Sequence, residues 1–196
     1  MEAIAGKREQ TKAANRAAIL AAARRVFREL GYGAATVRDI VRETDLATGT
    51  FYNYFPDKES VLHALLDEAA AEIRSRVREA RKSSRTVEEF VEGGFRAYYG
   101  YLVEDPETFG LLRRNAGTIR SMFDEPTVGA GLEELREDLR GGIRSGLLPD
   151  HDVEYMAAAM VGAGFEVAVR MLDRTPPDVD GAVAFVTRIF LAGLSS

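Results

Sequence analysis

Wherever the apolar residues of this chain cluster, they return at helical spacing, and that period narrows the folds open to it more than any other feature. Ile19, Leu20, Ala23, Val26, Phe27 and Leu30 fall on one face of a helix, and Gly31 supplies its stop. Thr36 and Asp39 stand at capping-box spacing ahead of Val37, Ile40 and Val41, so a second helix of about two turns should end before Thr44-Asp45. A short third helix runs through Phe51 and Phe55 to Pro56, and Asp57 can cap a long fourth carrying Val61, Leu62, Leu65, Leu66, Ala69, Ile73 and Val77. Two short helices joined by a three-residue turn and flanked by longer ones make a helix-turn-helix pattern.

The same logic continues to the end of the chain. Thr86 and Glu89 open a fifth helix, and Asp105-Pro106 reads as the N-cap and N1 proline of a sixth. Further helices are expected from about Glu125 or Pro126 to Ser145, over 152–173 and over 178–194, the last two separated by Thr175-Pro176-Pro177. No stretch alternates with period two, and no internal repeat appears. The expected fold class is all-α, about nine helices. Residues 1–56 form a helix-turn-helix head, 57–81 start the connecting helix, and 57–196 make up a helical second domain.

Charge divides along the same line. Residues 1–56 carry nine Lys or Arg against six Asp or Glu, whereas 57–196 carry 17 against 25. A basic head on an acidic body suits a nucleic-acid binder with a separate second function; a solvated helix face is the competing reading, and charge alone leaves both open. Lys7, Arg8 and Lys12 precede the first apolar period, either as an arm reaching phosphates or the minor groove or as a solubilising tail. The absence of cysteine excludes thiol nucleophiles and thiolate metal sites, and with His63 and His151 as the only histidines no metal site is expected. Neither a Gly-rich phosphate loop, a nucleophile motif nor a carboxylate pair is recognisable, so no enzyme and no cofactor are expected. No run approaches about 18 apolar residues and the N-terminus lacks an apolar leader core, so a cytoplasmic protein without a membrane partner is expected.

The segment "ATGTFYNYFPDKESVL", residues 47–62, crowds four aromatics ahead of a proline. As one short helix it places Phe51 and Phe55 at i, i+4, where they can pack back on Val37, Ile40, Val41 and Phe27. The opposite face offers Thr48, Gly49, Thr50, Tyr52, Asn53 and Tyr54: hydroxyls for phosphates, a close backbone approach, and an amide able to address a base edge. The larger stretch from Thr36 to Leu62, "TVRDIVRETDLATGTFYNYFPDKESVL", resembles the DNA-binding signature of the TetR family of bacterial transcriptional regulators. That resemblance implies a homodimer with a DNA-binding head and a C-terminal domain that senses a small molecule. It also implies phosphate contacts from Tyr52, Tyr54 and Lys58, and a Thr36 cap close to phosphate. Repression follows from the family's usual habit. Two positions depart from the family pattern: Asp45 stands where glycine is common, and Ala47 where serine is, so Thr48 is expected to cap in its place.

In the second domain, glycines interleave with aromatics. An apolar effector pocket is expected from Phe90, Phe95, Tyr98, Tyr99 and Leu102, continued by Phe109, Leu112, Met122, Phe123 and Met160; ordinary core is the competing fate of each residue. The small residues of "MAAAMVGAGFEVAV", 156–169, suit a dimer seam built from Ala157, Val161, Phe165 and Ala168 together with Phe185 and Ile189, with an intrachain core as the alternative. The expected partners are thus a double-stranded DNA operator, a small-molecule effector and a second copy of the chain.

Overall fold

The computed structural model describes the backbone of residues 2–121 and 126–194. Among these residues all regular structure is helical, in ten elements: α1 Glu2–Leu30, α2 Val37–Arg42, α3 Thr48–Tyr52, α4 Lys58–Lys82, α5 Val87–Glu104, α6 Pro106–Arg114, α7 Ala116–Ser121, α8 Pro126–Arg144, α9 Val153–Leu172 and α10 Val179–Leu194. Two differences from the sequence reading have clear causes. α1 begins at Glu2, far ahead of its first apolar period, because Ala, Lys, Arg, Gln and Glu dominate residues 2–18 and sustain a helix by propensity alone. Lys12 and its neighbours therefore belong to a helix and not to an irregular arm. The expected single helix from Pro106 is divided into α6 and α7 at Asn115, whose side chain turns to other backbone groups, and this supplies the tenth helix.

The chain separates into two compact units, Met1–Glu68 with Glu107–Ser121, and Ala69–Pro106 with Met122–Ser196. In the first, Ile19, Ala23, Val26 and Phe27 of α1 are buried with Ile40, Phe51, Phe55, Leu62 and Leu65, and Leu111 of α6 is fully enclosed as well. Each of these side chains other than Ala23 contributes about 1.5–3 kcal/mol of hydrophobic stabilisation. α1 ends at Gly31, whose φ of 80° is the left-handed conformation a side chain resists, and whose N–H closes back on Phe27 O at 3.1 Å. Asn115 enters this unit as a buried polar group: its Oδ1 accepts the Tyr32 N–H at 2.7 Å, and its Nδ2 donates to Phe27 O at 3.2 Å and Leu111 O at 2.8 Å. Segment 107–121, which the sequence reading assigns to the second domain, is tied to the end of α1 by these bonds.

In the second unit α5 packs chiefly on α10, and α9 on α8 and α10. Val91, Tyr99, Leu102, Leu139, Met171, Val183 and Val186 are enclosed there. α9 is long and apolar enough to cross a membrane by length and composition, and it packs against α8 and α10 in this unit.

Candidate nucleic-acid interface

Thr36 caps α2 from an extended backbone, φ −120° and ψ 160°. Its hydroxyl oxygen accepts the Asp39 N–H at 3.3 Å, and the Asp39 carboxylate accepts the Thr36 N–H at 3.0 Å, so two otherwise orphaned donors are satisfied reciprocally. The hydrogen bond from the Thr36 hydroxyl, then that from its backbone, holds the Asp39 carboxyl below the ordinary aspartate range. The turn that follows is closed by Thr44, whose hydroxyl donates to Val41 O at 2.8 Å and accepts the Leu46 N–H at 3.2 Å. At the start of α3 the capping position is Ala47, which makes no side-chain bond. Thr48 is already the first helical residue, so it does not take over the missing cap.

α3 ends at Tyr52, short of the Pro56 expected for it, and with the Asn53 cap and the turn to Phe55 it has two chemically distinct faces. Phe51 is 0 % exposed and Phe55 5 %, with ring centroids 6.2 Å apart, and the Arg16 guanidinium lies 5.5 Å over the Phe55 ring. Thr48, Gly49 and Asn53 are exposed, and Tyr52 is 55 % exposed. Beside Gly49 the space is open, since an added Cβ would meet nothing within 4 Å. Thr50 and Tyr54 are half-buried at the margin of this face, and the Tyr54 hydroxyl accepts from Asn15 Nδ2 at 3.2 Å.

Lys58 is placed differently from its neighbours in the motif. Its Nζ donates to Tyr32 O at 2.8 Å and Ala35 O at 2.9 Å and lies 4.5 Å from the centroid of the Tyr32 ring. The ammonium thus fastens the α1–α2 turn. Of the motif residues, Thr48, Gly49, Tyr52 and Asn53 form one solvent-facing surface on α3, and exposed Thr36 stands at the start of α2. Asn15 escaped the sequence reading, although a signal existed: it is a polar residue in phase with Ile19, Ala22 and Val26 on the buried side of α1.

The residues singled out further along the chain are dispersed. Phe90, Phe95, Tyr99, Leu102 and Met160 are buried in the second unit, with Tyr98 half-buried beside them. The Phe95 ring lies 5.8 Å from that of Tyr99 and 5.7 Å from that of Phe190. A Cβ at Gly164 would stand 3.0 Å from Phe95 Cε1, so glycine there admits the ring. Burial pushes the Tyr98 and Tyr99 hydroxyls well above the usual phenol value, and the buried Tyr99 hydroxyl has no hydrogen-bond partner among the described residues. Phe109 and Leu112 belong to the first unit, and Met122 and Phe123 lie outside the described residues. Of the residues expected at a dimer seam, Ala157 and Ala168 are sealed inside the chain, Val161 and Phe165 are half-buried, and Phe185 and Ile189 are exposed at 46 % and 48 %.

Known proteins share both the motif and the fold. The family model for bacterial regulatory proteins of the tetR family matches residues 19–65, which span the second half of α1 through the start of α4. The HTH-type transcriptional repressor AcnR of Corynebacterium efficiens is 29% identical over 138 residues, which cover 70% of this chain and 66% of the repressor's own length. Among solved structures, the fatty acid degradation regulator FadR of Bacillus halodurans is similar at a TM-score of 0.76 and 25% identity, covering 89% of this chain and 93% of that one. The transcriptional regulator FadR of Bacillus subtilis, solved in complex with stearoyl-CoA, is similar at a TM-score of 0.74 and 26% identity, covering 90% of this chain and 97% of that one. With its buried phenylalanine pair and exposed recognition face, the chain resembles the tetR family of bacterial regulatory proteins: residues 19–65 match the family model, and the fold is shared with such regulators over most of the chain.

Proposed function

We propose that this chain is a ligand-responsive transcriptional repressor that acts in the cytoplasm as a homodimer on a pseudo-palindromic operator. The observation that carries the reading is the division of α3: Phe51 and Phe55 are buried and hold the helix in place, while Thr48, Gly49, Tyr52 and Asn53 are left to solvent. A helix so anchored presents a fixed surface, and fixed registration is what base readout requires. In a dimer two copies of α3 would enter successive major grooves about 34–36 Å apart. Asn53 addresses a base edge, and Thr36, Thr50, Tyr52 and Tyr54 serve the phosphates.

The effector is a small, largely apolar molecule recognised within the second unit by the aromatic group around Phe95, Tyr98 and Tyr99, with the unpartnered Tyr99 hydroxyl as its polar contact. Stearoyl-CoA, bound by the similar Bacillus subtilis regulator, makes acyl-CoA thioesters the first probes to try. The dimer is carried by α9 and α10, on which Tyr155, Phe185 and Ile189 are exposed apolar residues.

Selection of operator fragments from genomic DNA, followed by affinity measurements on the selected duplex, tests the reading. Asn53→Ala should relax sequence preference, and Tyr52→Ala and Tyr54→Phe should weaken binding to all sequences. If all three variants kept wild-type affinity and preference, the assignment of α3 would fall. For the sensor, an acyl-CoA that raises the melting temperature should weaken operator binding, and by linkage the operator should weaken acyl-CoA binding by the same factor.

A further inference from the structure

We infer that the N-terminal part of α1 is a rigid phosphate-binding ridge, in which Arg8 and Lys12 hold the backbone of the same duplex that α3 reads. The inference rests on the DNA-binding reading above and adds an interaction surface to it. Its first support is helical phase. Successive residues of an α-helix turn by about 100°, so Arg8, Lys12 and Asn15 fall with Ile19, Ala22 and Val26 within a sector of about 80°. Those three later residues are buried at 1 %, 0 % and 5 % exposure, and they define the side of α1 that faces the head. Further toward the N-terminus the same side runs out past the head, and residues 8–14 are exposed.

The second support is continuity with the recognition surface. Asn15 sits at the transition from buried to exposed, and its Nδ2 donates to the Tyr54 hydroxyl at 3.2 Å, which fastens the ridge to the margin of α3. A duplex seated on Tyr52 and Asn53 would therefore continue along α1. Arg8 lies about 10 Å along the helix axis from Asn15, enough to follow about three phosphates of one strand.

The third support is charge. Further along α1 the basic residues are matched within the chain: Arg16 and Arg24 pair with Glu68, Arg25 with Glu43 and Arg28 with Glu107, at 3.1, 3.9, 3.5 and 3.2 Å. Arg8 and Lys12 have no ion-pair or hydrogen-bond partner among the described residues. Two unmatched cations on one face, in line with a DNA-reading surface, fit a polyanion of fixed spacing. The other occupants of such a face, an acidic protein segment or an anionic lipid surface, would leave duplex affinity untouched.

The test compares the wild-type protein with Arg8→Gln/Lys12→Gln, a pair chosen because glutamine keeps helix propensity. Affinity for a mixed-sequence duplex of about 30 base pairs is measured between about 50 and 200 mM salt, where non-specific binding reports phosphate contacts. The ridge predicts a log–log salt slope shallower by about 1.8, from 0.9 for each of two phosphates, and a tenfold or greater loss of affinity at the low-salt end. Relative preference among selected operator sequences should stay as in the wild type. An unchanged slope, with helicity retained by circular dichroism, overturns the ridge while leaving α3 as the DNA-binding element. Absence of any duplex binding by the wild-type protein, even at low salt, overturns both readings.

Discussion

Asn115 binds Tyr32 from far along the chain: its Oδ1 accepts the Tyr32 N–H at 2.7 Å while its Nδ2 reaches Phe27 O at 3.2 Å. One side-chain amide thus brings a second donor to Phe27 O, which also accepts the Gly31 N–H, and satisfies the first N–H beyond Gly31. Replacing Asn115 by alanine removes all three side-chain bonds and leaves the Tyr32 N–H without its acceptor, whereas Phe27 O and Leu111 O keep the backbone N–H groups of Gly31 and residue 115. One orphaned donor costs about 1–3 kcal/mol, so Asn115→Ala should destabilise the first unit by about 1–3 kcal/mol. Urea denaturation followed by a probe in that unit measures it, and a change under about 0.5 kcal/mol would contradict the assignment.

Lys58 holds the same turn from its other side, through Tyr32 O and Ala35 O. The resemblance to the family assigns this lysine to phosphate, whereas here its ammonium already serves two carbonyls and the Tyr32 ring. Lys58→Met keeps the stem and removes the charge, so it should cost about 1.5–3 kcal/mol in stability and lower affinity for every duplex sequence together. Calorimetric unfolding of the free protein separates the two roles, since a lysine serving only phosphate would leave its melting temperature unchanged.

Ala47 has the backbone of a capping residue, φ −73° and ψ 150°, but no side-chain oxygen. Ala47→Ser or Ala47→Asp should therefore supply a bond to an unpaired N–H at the start of α3 and stabilise the protein by about 0.5–1.5 kcal/mol. Aspartate brings an added charge next to the proposed DNA surface, so it should weaken duplex binding at low salt where serine does not. Paired melting and affinity measurements on both variants check this.

Acid should act on two carboxyls that cap helix starts. Asp39 is held below the aspartate value of 3.8 chiefly by the Thr36 hydroxyl, and Asp57 chiefly by the Ser60 backbone N–H. A carboxyl whose folded pKa is depressed contributes fully above its unfolded value and loses that contribution as pH falls through the folded one. Stability should therefore be insensitive to these groups from neutral pH down to about 5 and fall below about 4. Urea midpoints across that range, for the wild type and for Asp39→Asn/Asp57→Asn, should show the double variant with the shallower acid slope.

Local sequence carried most of the helical plan. Thr36 and Asp39 announce α2 because a capping box is made by residues three positions apart, and the Phe51–Phe55 spacing announces the buried side of α3 for the same reason. α1 was legible only from its apolar period, so its polar first half, sustained by propensity, was missed. α7 was missed because Asn115 ends α6 through bonds to residues more than 80 positions earlier.

What the sequence determined by itself is the set of helices and the two-sidedness of α3, since both depend on residues within one or two turns of each other. Which polar groups are spoken for was decided only by tertiary structure. Lys58 and Asn115 converge on the Tyr32 backbone, and Asn15 meets Tyr54, because distant helices are packed together, and no local period records which hydrogen-bond donors that packing consumes.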